Sequence, residues 1–218
     1  MICIGFAGCE AFDIILYMSR TLIKLNYRIL VIDISETGAL TKAIYHGMDL
    51  DSRQEIVNYR NINYLRRMPS EEELSSFVEG VIMIDFGIQS FPDLSLPCNF
   101  LYTTTNTFPY IIDNINTLML NSEWKTEKQR LIIRDMITPD DIDRVASKIR
   151  FHYDAIESLY LDIDDYYCAV NCQEIQLIRF MKLSSGMKTF IISQLHDIFP
   201  QIKIKRIKNA FALAGKGR

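Results

Sequence analysis

No lysine precedes Lys24, and the first turn of the chain, Ala7-Gly8-Cys9-Glu10-Ala11-Phe12-Asp13, holds a single glycine. That turn cannot be a loop that holds phosphate with several glycines, a lysine and a Ser or Thr. Histidine is scarce: His46, His152 and His196 stand far apart, without zinc-ligand spacing. No Ser-His-Asp or Cys-His arrangement can be composed from them. The five cysteines, an odd number, form neither a disulfide framework nor metal-ligand pairs. Reduced thiols and a cytoplasmic location are the expectation. Cys168 and Cys172 stand four apart, on one face if that stretch is helical. No apolar run is long enough to span a bilayer. Arg20 and Lys24 follow the first apolar stretch without a small-residue cleavage site, which argues against a signal peptide. Internal repeats and low-complexity tracts are absent.

What is present is ordinary in bulk and uneven in detail. Of 218 residues, 49% are hydrophobic and 23% charged, enough for one well-buried globular domain. The net charge of -3 gives no reason to expect nucleic-acid binding by the chain as a whole. From Gln201 onward, however, Lys203, Lys205, Arg206, Lys208, Lys216 and Arg218 face no acidic residue. The stretch from Asp135 to Asp165 is the reverse, with Asp140, Asp141, Asp143, Asp154, Glu157, Asp162, Asp164 and Asp165. Such asymmetry points to self-association or to a charged partner for the basic segment.

Strand-like and helix-like segments alternate along the chain. Ile2 to Phe6 is a short apolar run, and a helical pattern follows from Asp13 to about Asn26, with Ile14, Ile15, Met18, Leu22 and Leu25 at helical spacing. Arg28 to Asp33 and Val81 to Asp85 read as buried strands, each closing on an aspartate. Helical pieces are expected from Leu40 to Tyr45 and from Thr107 to Leu120. Ile62 to Leu65, Asn99 to Thr103, Arg130 to Arg134 and Ser158 to Leu161 read as further strands. The segment from Asp49 to Arg67 is otherwise ambiguous. Ser70 and Glu73 form a capping box; Thr138 as cap, Pro139 at the first position and acids behind them open another helix. Lys188 to Phe199 reads as a long helix stopped by Pro200. Alternation of this kind predicts an α/β fold: a mostly parallel sheet with helices on both faces, in three layers. Ligands on such sheets bind beyond the carboxyl ends of the strands, where Asp33 and Asp85 point.

In order and spacing these elements resemble the ParA/MinD group of P-loop ATPases over nearly the whole chain. Arg28 to Thr41, RILVIDISETGALT, resembles the family's second-strand motif, and Gly80 to Gly87, GVIMIDFG, resembles its Walker B strand, with Asp85 in the place of the carboxylate. Phe100 to Leu120 and Arg130 to Ala146 resemble the next two strand-and-helix units. The resemblance implies a P-loop NTPase-like sheet of about six to eight strands, a domain over residues 1–200 and a basic tail over 201–218.

The family's chemistry is not matched. Its first loop carries two lysines and a run of glycines where Phe6 to Asp13 offers Gly8. Its adenine-reading Asn is replaced by Arg134, and the second acid after Asp33 by Ser35. Gly8, Cys9, Glu10, Asp13, Asp33, Asp85 and Arg134 are therefore expected to form a degenerate nucleotide site, with no catalytic residue, no metal and no cofactor. Glu10 and Asp13 bring carboxylates to a helix N-terminus, which attracts anions; they fill the anion place and repel a triphosphate. Asp13 also reads as a simple capping residue; Asp33 and Asp85 read either as a paired-carboxylate or metal site at the sheet edge or, preferred, as strand-end residues held by backbone or hydroxyl groups. Cys9, close to the same helix start, raises the question of a lowered thiol pKa.

In the basic segment Ile204, Ile207 and Phe211 share a helical face beside Lys203, Lys205, Arg206 and Lys208. The resemblance to MinD suggests contact with a membrane surface; a partner-docked or solvated terminus and nucleic acid are the other readings. The expected function is a non-catalytic scaffold, localisation factor or regulator in a bacterial assembly, such as a pilus, secretion or partition system. It would be a homodimer across the nucleotide face, or present that face to another protein, with peripheral membrane contact through a partner. Two rivals stand beside it: an ATP/Mg-binding dimerisation switch with weak or no hydrolysis, and a membrane-surface adaptor acting through the basic tail.

Overall fold

The computed structural model describes residues 1–9, 11–44, 55–88 and 97–217. In chain order its elements are β1 (Ile2–Gly8), α1 (Phe12–Lys24), β2 (Ile29–Asp33), α2 (Ala39–Lys42), β3 (Val57–Tyr59), β4 (Ile62–Leu65), α3 (Glu71–Ser75), β5 (Val81–Gly87) and β6 (Cys98–Thr105). There follow α4 (Pro109–Leu120), β7 (Thr126–Met136), α5 (Asp141–Ala146), β8 (Ala155–Tyr160), α6 (Ile163–Glu174), α7 (Ser185–Ile198) and α8 (Ile204–Gly215). Among the described residues these strands form one sheet in the order β3-β4-β2-β5-β1-β6-β7-β8. Every neighbouring pair is parallel except the β3–β4 hairpin. This is the three-layer α/β architecture that the alternation of apolar runs and helical patterns predicts.

The strands with continuous apolar sequences lie in the middle. β1, β2 and β5 are buried along nearly their whole length, as strands covered on both faces must be. Two core layers result. On one face Ile14, Ile15, Met18 and Leu22 of α1 pack with Cys168 and Cys172 of α6, Ile191 and Leu195 of α7, and Ile207 and Phe211 of α8. On the other, sheet residues such as Leu30, Ile32 and Ile84 meet Ile115 and Leu118 of α4.

Local chemistry explains the element ends. Ser70 accepts from the Glu73 amide at 3.2 Å while Glu73 accepts from the Ser70 amide at 2.7 Å, the reciprocal pair the sequence predicts. The β3–β4 connection is a two-residue turn, Arg60 and Asn61, both at positive φ (53° and 65°), the conformation a tight hairpin favours. The helix expected to open at Thr138 and Pro139 begins instead at Asp141. Thr138 does not cap it: Asp141 turns back and accepts from the amides of Ile137 (2.8 Å) and Thr138 (3.0 Å), so the cap residue comes from inside the helix. Tyr45, the expected end of a helix, and Asp49, the start of the ambiguous segment, lie outside the described residues.

The basic segment is a helix of the same core. Ile207, Ala210, Phe211 and Ala214 of α8 are buried against α1, and the Phe211 ring lies 5.1 Å from Phe180, which meets Tyr17 of α1 at 4.7 Å. Ile204, which the sequence places on one helical face with Ile207 and Phe211, is 46% exposed, because the packing stripe runs through the alanines. The apolar face that membrane insertion would use is thus covered by α1. Among the described residues no helix is long and apolar enough to cross a membrane.

If α8 is part of this core, Phe211→Ala should lower unfolding stability by about 3–5 kcal/mol, as for other buried aromatic truncations. Lys208→Ala, on the exposed side, should leave it nearly unchanged. Urea unfolding of the two variants beside the wild type measures both.

Candidate functional site

Three strands and one helix start converge at the carboxyl edge of the sheet. β1 passes into α1 through Cys9, Glu10 and Ala11, about half the residues that G-x-x-x-x-G-K-[ST] places ahead of its lysine. Glu10 lies outside the described residues, so its expected place at the helix start has no structural account. The rest of the connection is tied to β6. The Cys9 amide donates to the Thr104 carbonyl at 2.9 Å, the Cys9 thiol to the same oxygen at 3.3 Å, and the Thr104 hydroxyl donates back to the Cys9 carbonyl. Gly8, at φ 113°, allows this approach: a Cβ there would stand 2.1 Å from the Thr104 oxygen. Backbone that would wrap a phosphate is bonded to a neighbouring strand.

The N-terminus of α1 is occupied from within. Asp13 is buried, and its carboxylate receives both guanidinium arms of Arg134 at 2.8 and 2.7 Å, together with the Ile14 amide at 2.9 Å. Arg134 reaches it because β7 runs past the end of β6 and then bulges. The β7–β8 register shifts between Ile133 and Met136, and Asp135 adopts φ 56°; a bulge of this sort re-aims the side chain beside it. Burial works against the Arg134 charge, but the Asp13 carboxylate outweighs it and holds the guanidinium above its ordinary pKa. Two of the residues read as departures from the resembled family's pattern, Asp13 and Arg134, bind each other.

Asp33 is equally committed. Its carboxylate accepts from the Ser35 amide (3.1 Å) and hydroxyl (2.6 Å), the Thr41 amide (3.1 Å) and hydroxyl (3.0 Å), and the Arg66 guanidinium (3.1 Å). That uses the acceptor capacity of a carboxylate and leaves none to ligate a cation. Arg66, which sequence reading did not single out, also donates to the carbonyls of Asp33 (2.9 Å) and Ser35 (2.6 Å). Asp85 lies beside Asp33 in the parallel register and accepts from the Gly87 amide at 3.1 Å. It borders a cavity of about 40 Å³ with Gly8, Ser35 and Glu36, room for a water or two and not for a triphosphate. Among the described residues no cluster of His, Cys, Asp or Glu is placed to hold a metal.

A larger cavity, about 400 Å³, opens next to the Asp13–Arg134 pair between the β7 and β8 ends and the start of α6. Among the described residues its charged groups are Asp13, Asp135, Asp162 and Asp165 against Arg134, and Phe12, Tyr160 and Tyr166 supply aromatic wall. Asp162 caps α6 through the Asp164 amide at 2.8 Å, and Asp165 accepts from the amide and hydroxyl of Ser184, both at 2.6 Å. Burial raises the Asp165 pKa. Like charges at about 4 Å repel by about 4 kcal/mol near a protein surface, so this wall opposes a phosphate chain. Of the residues expected at the site, Cys9, Asp13 and Arg134 come together here, while Gly8, beside Asp85, and Asp33 lie further along the same edge. Lys203, Lys205, Arg206 and Lys208 stand apart from it on α8.

Searches of protein-family models and of curated proteins find no match for the sequence. Solved structures do match. A ParA family ATPase from Chlorobium tepidum aligns with TM-score 0.54 at 12% identity, covering 98% of this chain and 97% of that one. A plasmid partition protein from Borrelia burgdorferi bound to AMPPNP aligns with TM-score 0.56 at 13% identity, covering 92% and 98%. The MinC:MinD complex of Aquifex aeolicus aligns with TM-score 0.53 at 11% identity, covering 100% and 97%. The chain has the ParA/MinD-type P-loop ATPase fold.

Two outcomes test this geometry. Asp13→Ala removes the two-armed acceptor of a largely buried guanidinium and should cost about 3–5 kcal/mol in urea unfolding, whereas Asp13→Leu combined with Arg134→Met should cost far less than the sum of the single changes. Burial, eased only in part by Arg134, pushes the Cys9 thiol up to about 12, the opposite of activation by a helix N-terminus. The thiolate is the reactive form, so native Cys9 should resist iodoacetamide at pH 8 and its rate should still climb above pH 9, where an ordinary thiol levels off. Mass spectrometry of the labelled peptide follows it.

Proposed function

We propose that this chain is a non-catalytic member of the ParA/MinD-type fold: a scaffold, localisation factor or regulator in a bacterial assembly such as a pilus, secretion or partition system, working through protein contacts. The observation that carries this reading is the Asp13–Arg134 ion pair at the start of α1, where the fold would otherwise seat phosphate. The short loop pinned to Thr104 and the saturated Asp33 support it from either side. A nucleotide would have to break the pair, lengthen the loop and enter against an acidic wall. With that seat filled, the carboxyl edge is a surface for another protein. The MinC:MinD complex supplies a similar fold that a protein partner engages.

The test is thermal unfolding with and without excess Mg-ATP and Mg-ADP. A nucleotide at 100 times its dissociation constant would add about 2.7 kcal/mol, or about 5–11 °C for a chain of this size. No shift is expected with either nucleotide. A reproducible shift, or nucleotide carried through purification, overturns the reading in favour of an ATP-binding switch.

A further inference from the structure

The two charged blocks of the sequence fold to opposite ends of the molecule. At the carboxyl edge Asp135, Asp162 and Asp165 line the large cavity, and Asp140 and Asp164 are exposed at the starts of α5 and α6, the helices that follow β7 and β8. Between these acids stand Ile137, Tyr160, Leu161, Ile163 and Tyr166, exposed by 77, 49, 57, 85 and 69%. So much apolar surface in one place, ringed by one sign of charge, is characteristic of a contact face. Asp154 and Glu157 of the same block are not part of it, being bonded to the Gln129 amide and to Arg130.

The basic end lies at the other edge. α7 starts at the carboxyl edge, where Ser184 is bonded to Asp165, and runs the depth of the sheet to Phe199. There Phe199 meets the ring of Tyr27, just ahead of β2, at 4.8 Å. α8 begins at once, so Lys203, Lys205 and Arg206 sit at the amino edge with Lys208 a turn further on, all exposed. Ile204, 46% exposed, gives this cationic end an apolar centre.

We infer that the occupant of the acidic, aromatic-lined carboxyl edge is the first half of α8 from a second copy of this chain, so that copies join head to tail. The two surfaces match in charge and each carries apolar residues, and their position at opposite ends lets both be used at once. The contact is heterologous, and it repeats along a line or ring of copies instead of closing as a two-fold pair. It rests on the reading of the carboxyl edge as a protein surface, and it names the partner.

Sedimentation velocity of the whole chain at low and high ionic strength tests it. Assembly beyond the dimer is expected at low salt and dissociation at high salt, where screening falls to a few ångströms. Lys205→Glu with Lys208→Glu should be monomeric, and so should Asp140→Asn with Asp164→Asn; all four positions are exposed, and circular dichroism checks that each variant folds. Mixed in equal amounts, the two variants retain one intact joint between them and should stop at a 1:1 dimer. A wild-type monomer at low salt overturns the inference, as does assembly that survives Lys205→Glu with Lys208→Glu. A monomer that instead sediments with anionic phospholipid vesicles overturns it too and gives the basic end to a lipid surface. Stabilisation by Mg-ATP would strike at the non-catalytic reading and leave the joint standing, while a monomer unresponsive to Mg-ATP would remove the joint alone.

Discussion

A buried carboxylate at the start of the first helix and a guanidinium arriving from two strands away tie the carboxyl edge together. Asp13 is a buried carboxylate, and the two-armed bond from Arg134 offsets much of the cost of its burial. The pair also decides backbone. Arg134 can reach Asp13 because β7 outruns β6 and bulges at Asp135, and the short passage from β1 to α1 places Asp13 under it. Bulge, loop length and ion pair are one arrangement.

The same logic extends along the edge. Groups of the kinds that would face a bound nucleotide bond within the protein instead: the Cys9 amide to Thr104, the Asp33 carboxylate to Ser35, Thr41 and Arg66. Buried polar groups must be satisfied by something, and in a binding site that something is partly the ligand. Here the supply is internal, so the edge is stable when empty. A buried ion pair contributes little net stability compared with apolar residues of the same shape. What the Asp13–Arg134 pair adds is registry, because a two-armed bond fixes both the helix start and the strand end.

Much of the fold was legible because its signals are local. Continuous apolar runs marked β1, β2 and β5, and Ser70 with Glu73 marked a helix start whose two bonds are both formed. Thr138 and Pro139 misled for an equally local reason: the motif was present, but Asp141 offered the Ile137 and Thr138 amides a charged acceptor three and four residues on. The site was half legible. Arg134 and Asp13 each stood out as residues of the wrong kind for a nucleotide, yet their pairing depends on a bulge, which has no compositional mark beyond an Asp tolerant of positive φ. Arg66 was invisible, since nothing near it in sequence says that it turns back over Asp33. The exposed tyrosines of α6 were invisible as well, because a helix with apolar residues on both sides gives no clean period.

A parallel sheet has two chemically different ends, and that turns a pattern in sequence into a direction in space. The acidic block falls in the turns that leave β7 and β8, which topology requires to be at the carboxyl edge. The basic block follows α7, which must carry the chain back across the sheet before α8 can begin, and so arrives at the amino edge. Had either block been one element earlier or later, the charges would share an end and cancel. As built, the two blocks place opposite charges at opposite edges of the sheet while the net charge is only -3. Fields of this kind orient approaching molecules before they touch, and a copy of the same chain meets its complement only when it points the same way.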